Sequence, residues 1–84
     1  MKPESISLYF REGGSNKEYH ASLEEKKGGW VVNFKYGRRN ATLATGTKTS
    51  SPIVYDKAWG IYSKLVKSKT AKGYKTADGT VPFP

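Results

Sequence analysis

Cysteine is absent from this chain, which removes disulfides and thiolate metal sites and suits a reducing compartment. No apolar run approaches the roughly 18 residues that a membrane-spanning helix needs, and the N-terminus MKPESISLYF lacks the hydrophobic stretch of a signal peptide. The expectation is a soluble protein of the cytoplasm with no membrane insertion. Histidine occurs once, at His20, and aspartate twice, at Asp56 and Asp78. That scarcity leaves little for catalysis. His20 alternates onto the polar side of a strand beside Glu18, neither aspartate neighbours a serine or histidine in a triad-like order, and Glu24-Glu25 fall at a hairpin next to two lysines. No ligand set for a metal is present and no cofactor is implied, so a non-enzymatic module is expected. The GGSNK loop lacks the spacing of a phosphate loop and is not followed by a helix.

What the chain does have is aromatic and cationic. It is 84 residues long, enough for one small domain that buries about 60–65% of its unfolded surface. Its two Trp, six Tyr and three Phe enlarge a core that would otherwise be thin. The net charge is +8, with ten Lys or Arg from Trp30 onward against Asp56 and Asp78, whereas five Lys or Arg and five Glu balance before Trp30. An excess confined to one half predicts a polyanionic partner, nucleic acid first and an anionic membrane surface second, against the plainer reading of a merely solvated surface.

Period-two alternation marks the strands. Ile6, Leu8 and Phe10 alternate with Ser7, Tyr9 and Arg11 and end before Gly13-Gly14-Ser15-Asn16. Lys17, Tyr19, Ala21 and Leu23 alternate with Glu18, His20, Ser22 and Glu24. After a hairpin at residues 25–29, WVVNFKYGRR places Trp30, Val32, Phe34 and Tyr36 on one face, with Val31 as an apolar exception on the other. A fourth strand is expected over Asn40 to about Lys48, with Gly46 as a bulge.

The period then changes. Ala58, Ile61, Tyr62, Leu65, Val66 and Lys69 fall at helical spacing, with Asp56 as N-cap or first-turn acid, cations toward the C-terminal end and Gly73 as the stop. Gly60 inside this helix suggests close packing on the sheet. The fold class is α+β: a twisted antiparallel sheet of about four strands with one amphipathic helix packed on one face, the other face being left for function. Residues 1–75 form the domain, and 76–84 a tail that is either flexible or docked through Val81 and Phe83.

Cations and aromatics share segments. Arg38 and Arg39 suit bidentate phosphate contacts beside Tyr36, Asn16 and Lys17 suit phosphate contacts from the first turn, and Lys72 and Lys75 flank Tyr74. Read singly, each is equally a core end or a helix terminus.

The order of SNKEYHASL, WVVNFKYGRR and KAWGIYSKLVKSKTAKGY resembles the WGR domain, a small module of poly(ADP-ribose) polymerases that also occurs alone in bacterial proteins. The resemblance covers about residues 5–75. It implies that Tyr36 takes the place of the motif Trp that packs on a terminal nucleotide, Gly37 that of the close-approach glycine and Arg38 that of the motif arginine. It also implies that Asn16 and Lys17 line the same side, with Tyr74 as the aromatic after the helix. Arg39-Asn40 replaces the family's hydrophobic-Gly pair. The implied partner is DNA or another nucleic acid, with DNA ends in view; a protein partner docked on the exposed sheet face is the alternative. With no catalytic domain, ADP-ribosyl transfer and NAD binding do not carry over.

Overall fold

Four strands in chain order make one antiparallel sheet, β1 (Glu4–Glu12), β2 (Ser15–Lys26), β3 (Gly29–Arg38) and β4 (Ala44–Thr47), followed by helix α1 (Tyr55–Thr70). The computed structural model describes residues 1–83. Both long hairpins close through two residues with positive φ, Gly13-Gly14 (55° and 81°) and Lys27-Gly28 (50° and 79°). Such turns match the twist of the flanking strands, and glycine meets their left-handed geometry at little cost.

Turn length fixes register, and register fixes faces. Tyr19 pairs with Leu8 and Tyr36, and Leu23 pairs with Val32. Leu8, Tyr19, Ala21, Leu23, Trp30 and Val32 therefore point to one side, where Ala58, Tyr62, Leu65 and Val66 of α1 close the core. Leu8, Leu23, Val32 and Val66 are fully buried, each worth about 1.5–3 kcal/mol relative to exposure. Trp30 ties the loop before the helix to the sheet: its N–H donates to the Ile53 carbonyl at 2.8 Å, and the Ile53 N–H returns the bond at 2.9 Å. Tyr55, at the first turn of α1, meets the Trp30 ring edge-on at 4.9 Å.

After the helix, the chain pairs with the outer edge of β1 through reciprocal Tyr9 and Lys75 backbone bonds of 2.7 and 2.9 Å. Further on, Phe83 packs edge-on against Trp59 at 5.8 Å, while Val81 stays 43% exposed. Pro84, included in the expected tail, lies outside the described residues.

Several local expectations are corrected. The fourth strand is only Ala44–Thr47, because the chain turns at residues 38–41, where Asn40 takes φ 66° and the Ala41 N–H bonds to the Arg38 carbonyl at 3.2 Å. Gly46 is not a bulge. It pairs in regular register with Phe34, whose ring occupies the space a side chain would need, a Cβ there falling 2.5 Å from Cζ. Gly60 is exposed, with nothing within 4 Å of a notional Cβ, so it does not pack on the sheet. Of the two roles expected for Asp56 the structure shows the first-turn acid, while the N-cap is Val54, in extended conformation without a side-chain cap.

The two glycines are thus expected to respond oppositely to alanine. Gly46→Ala should destabilise by about 1–3 kcal/mol through overpacking against Phe34, and Gly60→Ala should stabilise by about 0.5–1 kcal/mol by restricting the unfolded chain. Urea unfolding midpoints of the two variants check both signs.

Candidate nucleic-acid interface

Helix α1 has 16 residues and is roughly 24 Å long, whereas the 12 residues of β2 extend roughly 40 Å. A helix of that length leaves part of the aromatic face of the sheet without cover. The start of β2 and the end of β3 carry that face past the helix C-terminus, and a cleft of about 570 Å³ forms there. Lys17, Tyr19, Phe34, Tyr36, Gly37, Arg38, Lys48, Lys69 and Tyr74 line it.

Its floor is a ring ladder. Tyr19 stacks on Phe34 at 5.7 Å and 11° between planes, and on Tyr36 at 5.9 Å and 20°. Tyr74 closes one side, 74° to the Tyr19 ring at 6.2 Å and tilted against Phe10 at 5.6 Å. Gly73 makes this possible: a Cβ there would fall 2.9 Å from the Phe10 ring. Tyr36 is 45% exposed, so one ring of the ladder is available for a further stacking partner.

The walls are cationic. Lys69 Nζ lies 4.7 Å from the Tyr19 centroid, Lys48 Nζ 5.6 Å from that of Phe34, and Lys17 Nζ 5.7 Å from that of Phe10. Each such contact contributes about 0.5–1 kcal/mol at an exposed site. Among the described residues no Lys or Arg lies within salt-bridge distance of a carboxylate, so neither Lys17, Arg38, Lys48 nor Lys69 has a carboxylate partner. Burial, then the nearby charges of Lys72 and Lys48, holds the Lys69 ammonium below its ordinary pKa. Burial first, then neighbouring Tyr36 and Tyr74, pushes the Tyr19 phenol up to about 12. Both shifts share partial desolvation as their first cause, and that of Lys69 also records the neighbouring positive charge.

Lys17, Tyr36, Gly37, Arg38 and Tyr74 come together in this cleft; Asn16, Arg39 and Lys72 do not line it. The Asn16 carbonyl accepts the Arg39 N–H at 2.9 Å, and the Arg39 guanidinium lies over Tyr9 on the opposite face. Lys72 is exposed just past the helix. Gly37 serves a close approach within the chain, its notional Cβ lying 3.2 Å from Leu43. Tyr19, Phe34, Lys48 and Lys69 are the lining residues that sequence reasoning did not single out. For Lys69 the signal was present, a lysine continuing the apolar stripe of the helix beyond Leu65 and Val66. The cleft also lies on the helix side of the sheet, contrary to the expectation that the uncovered face carries function.

That uncovered face holds His20. Glu18 accepts a hydrogen bond from Nε2 at 2.8 Å, and Ser7 Oγ, on β1, lies 2.8 Å from Nδ1. The cross-strand serine was invisible in the order of the sequence, because the Ser7–His20 pairing arises only from register. Among the described residues no three His, Cys, Asp or Glu cluster to hold a metal, and no helix is long and apolar enough to cross a membrane.

Sheet, helix and basic aromatic cleft define a small binding module of α+β class. The family model described as WGR domain matches residues 5–81. The chain belongs to the WGR domain family, a family of nucleic-acid-binding modules. Searches of curated proteins and of solved structures return no match.

The raised tyrosines bear on alkaline stability. Tyr62 is likewise pushed up to about 12, by burial first and then by Glu4. A folded pKa above the unfolded value of 10.0 stabilises the fold below pH 10 and withdraws that contribution as pH rises from 10 toward 12. Stability is expected to fall across that window, with late phenolate absorbance coinciding with unfolding in a pH series of denaturation curves.

Proposed function

We propose that this domain is a non-enzymatic DNA-binding module whose cleft takes the phosphate backbone, with a preference for DNA ends. The observation that carries this reading is the set of four cations, Lys17, Arg38, Lys48 and Lys69, around an aromatic ladder and without a carboxylate partner among the described residues. Cations of this kind supply sequence-independent phosphate contacts, and the exposed Tyr36 ring suits stacking on an unpaired or terminal base. Arg38 offers the bidentate fork for one phosphate and the lysines neutralise its neighbours. Nothing in the cleft resembles a recognition helix for base edges, so contacts are to backbone and ring faces.

Titration of linear, nicked and closed circular duplexes at several salt concentrations tests the reading. Four to six phosphates engaged should give a slope of log K against log salt of about −4 to −5. Absence of binding at low salt would sink the proposal, and equal affinity for closed circles would remove the end preference. Arg38→Gln with Tyr36→Ala should weaken DNA binding. If DNA affinity survives that change while a captured protein is lost, the module serves protein docking instead.

Lys69 gives a sharper prediction. Its depressed pKa means that the charged form is disfavoured by its surroundings, which offsets the cation–π contact with Tyr19, so Lys69→Met, which keeps the aliphatic stem, should leave stability in urea unfolding within about 1 kcal/mol of the wild type. The same variant should bind DNA roughly threefold to tenfold more weakly, since one phosphate partner is gone. Loss of stability together with full affinity would show that Lys69 is a structural residue.

A further inference from the structure

Arg11 and Arg39 sit at the same end of the sheet as the cleft but on its other face. Arg11, on β1, pairs with Asn16 of β2, and the Arg39 N–H bonds to the carbonyl of that same Asn16 at 2.9 Å. Strand alternation then separates neighbours: Lys17 and Arg38 line the cleft, and Arg39 turns away from it. On the far face, the Arg11 guanidinium lies 4.9 Å and that of Arg39 5.9 Å from the centroid of one ring, Tyr9.

Tyr9 thus gathers two guanidiniums beside one ring, whose quadrupole attracts each of them. The carboxylates nearest in sequence are committed elsewhere. Glu18 accepts from His20 Nε2 at 2.8 Å, and the Glu12 carboxylate lies on the helix side against Gly73. Both arginines are exposed, and among the described residues neither has an acidic partner. Each unsatisfied guanidinium fork beside this ring suits bidentate contact with a phosphate of its own, so the two together suit two phosphates of one backbone.

We propose that Arg11 and Arg39, held over Tyr9, form a second phosphate-binding subsite on the face of the sheet opposite the cleft. Nucleic acid backbone then engages both faces of one sheet end. Lys17 and Arg38 contact phosphates on the helix side, and Arg11 and Arg39 contact phosphates on the other. The inference rests on the nucleic-acid reading of the cleft, and it adds a surface that the cleft does not include.

Four proteins bound to the same linear duplex across a salt series test it: the wild type, the back-face variant Arg11→Gln/Arg39→Gln, the cleft variant Lys48→Gln/Lys69→Gln, and the charge-matched control Lys26→Gln/Lys27→Gln. The control lies in the β2–β3 hairpin, at the far end of β2 from Asn16. The back-face variant should bind roughly tenfold more weakly at moderate salt, with a slope shallower by about 1.8, the value for two lost phosphate contacts. The control should keep the wild-type slope. A back-face variant that behaves like the control overturns the second subsite and leaves the cleft reading standing if the cleft variant is weakened. A wild type that binds no duplex at any salt takes down both. All four substituted side chains of the back-face and control variants are exposed, and circular dichroism confirms that each variant is folded before its slope is read.

Discussion

The ring of Tyr19 is where the core of this domain ends and its cleft begins, and the rest of the structure is arranged around that position. Register sets it opposite Tyr36 and beside Leu8, so a slip of one residue would send the whole ladder to the far face. With 4% of its surface exposed, Tyr19 belongs to the packed interior, yet it also forms the cleft floor under Lys69. A phenol is neutral at neutral pH in any case, and burial with the adjacent phenols extends that neutral form to about pH 12. The floor is therefore apolar and rigid, and its charge comes only from the lysine and arginine side chains around it. That division of labour lets a small core carry a cationic cleft without burying a charge in the interior.

Much of the fold was legible because alternation and helical spacing are local. Trp30, Val32 and Phe34 announce a strand face, and Ala58, Tyr62, Leu65 and Val66 announce the helix stripe that covers it. The errors fall where a residue type has two physical uses. The position of Gly46 in its strand suggests backbone irregularity, whereas its role is to leave room for a cross-strand ring. Gly60 was read as a contact, whereas it faces solvent. The end of the fourth strand depends on a left-handed Asn40, which no periodicity encodes.

The site was legible in part for the same reason. Tyr36 and Arg38 lie on a single strand at alternate positions, so their shared face follows from sequence. Lys48 and Lys69 arrive from other elements, and only the tertiary fold brings them to Tyr19 and Phe34. Arg39 shows the converse. It is adjacent to Arg38 in sequence and so was grouped with it, but alternation places it over Tyr9 on the opposite face. Adjacency in a strand separates side chains as surely as spacing of two unites them.

The length mismatch between helix and sheet explains why the cleft is where it is. A helix of 16 residues covers the Trp30 end of β3 and runs out before Tyr36. The uncovered rings would be an apolar patch facing water if nothing else reached them. Lys69 and Lys48 cover them with their aliphatic stems and place ammonium groups over the ring faces. Such cover is cheap in packing but costly in charge: Lys69 is desolvated and repelled by Lys72 and Lys48, as its lowered pKa records. Under the proposed function a phosphate would offset that cost, since it would pair with the ammonium groups in the partly dry site where their attraction is strongest. The same lysines that make this end of the sheet tolerable in water are thus the ones the proposed phosphate contacts would use.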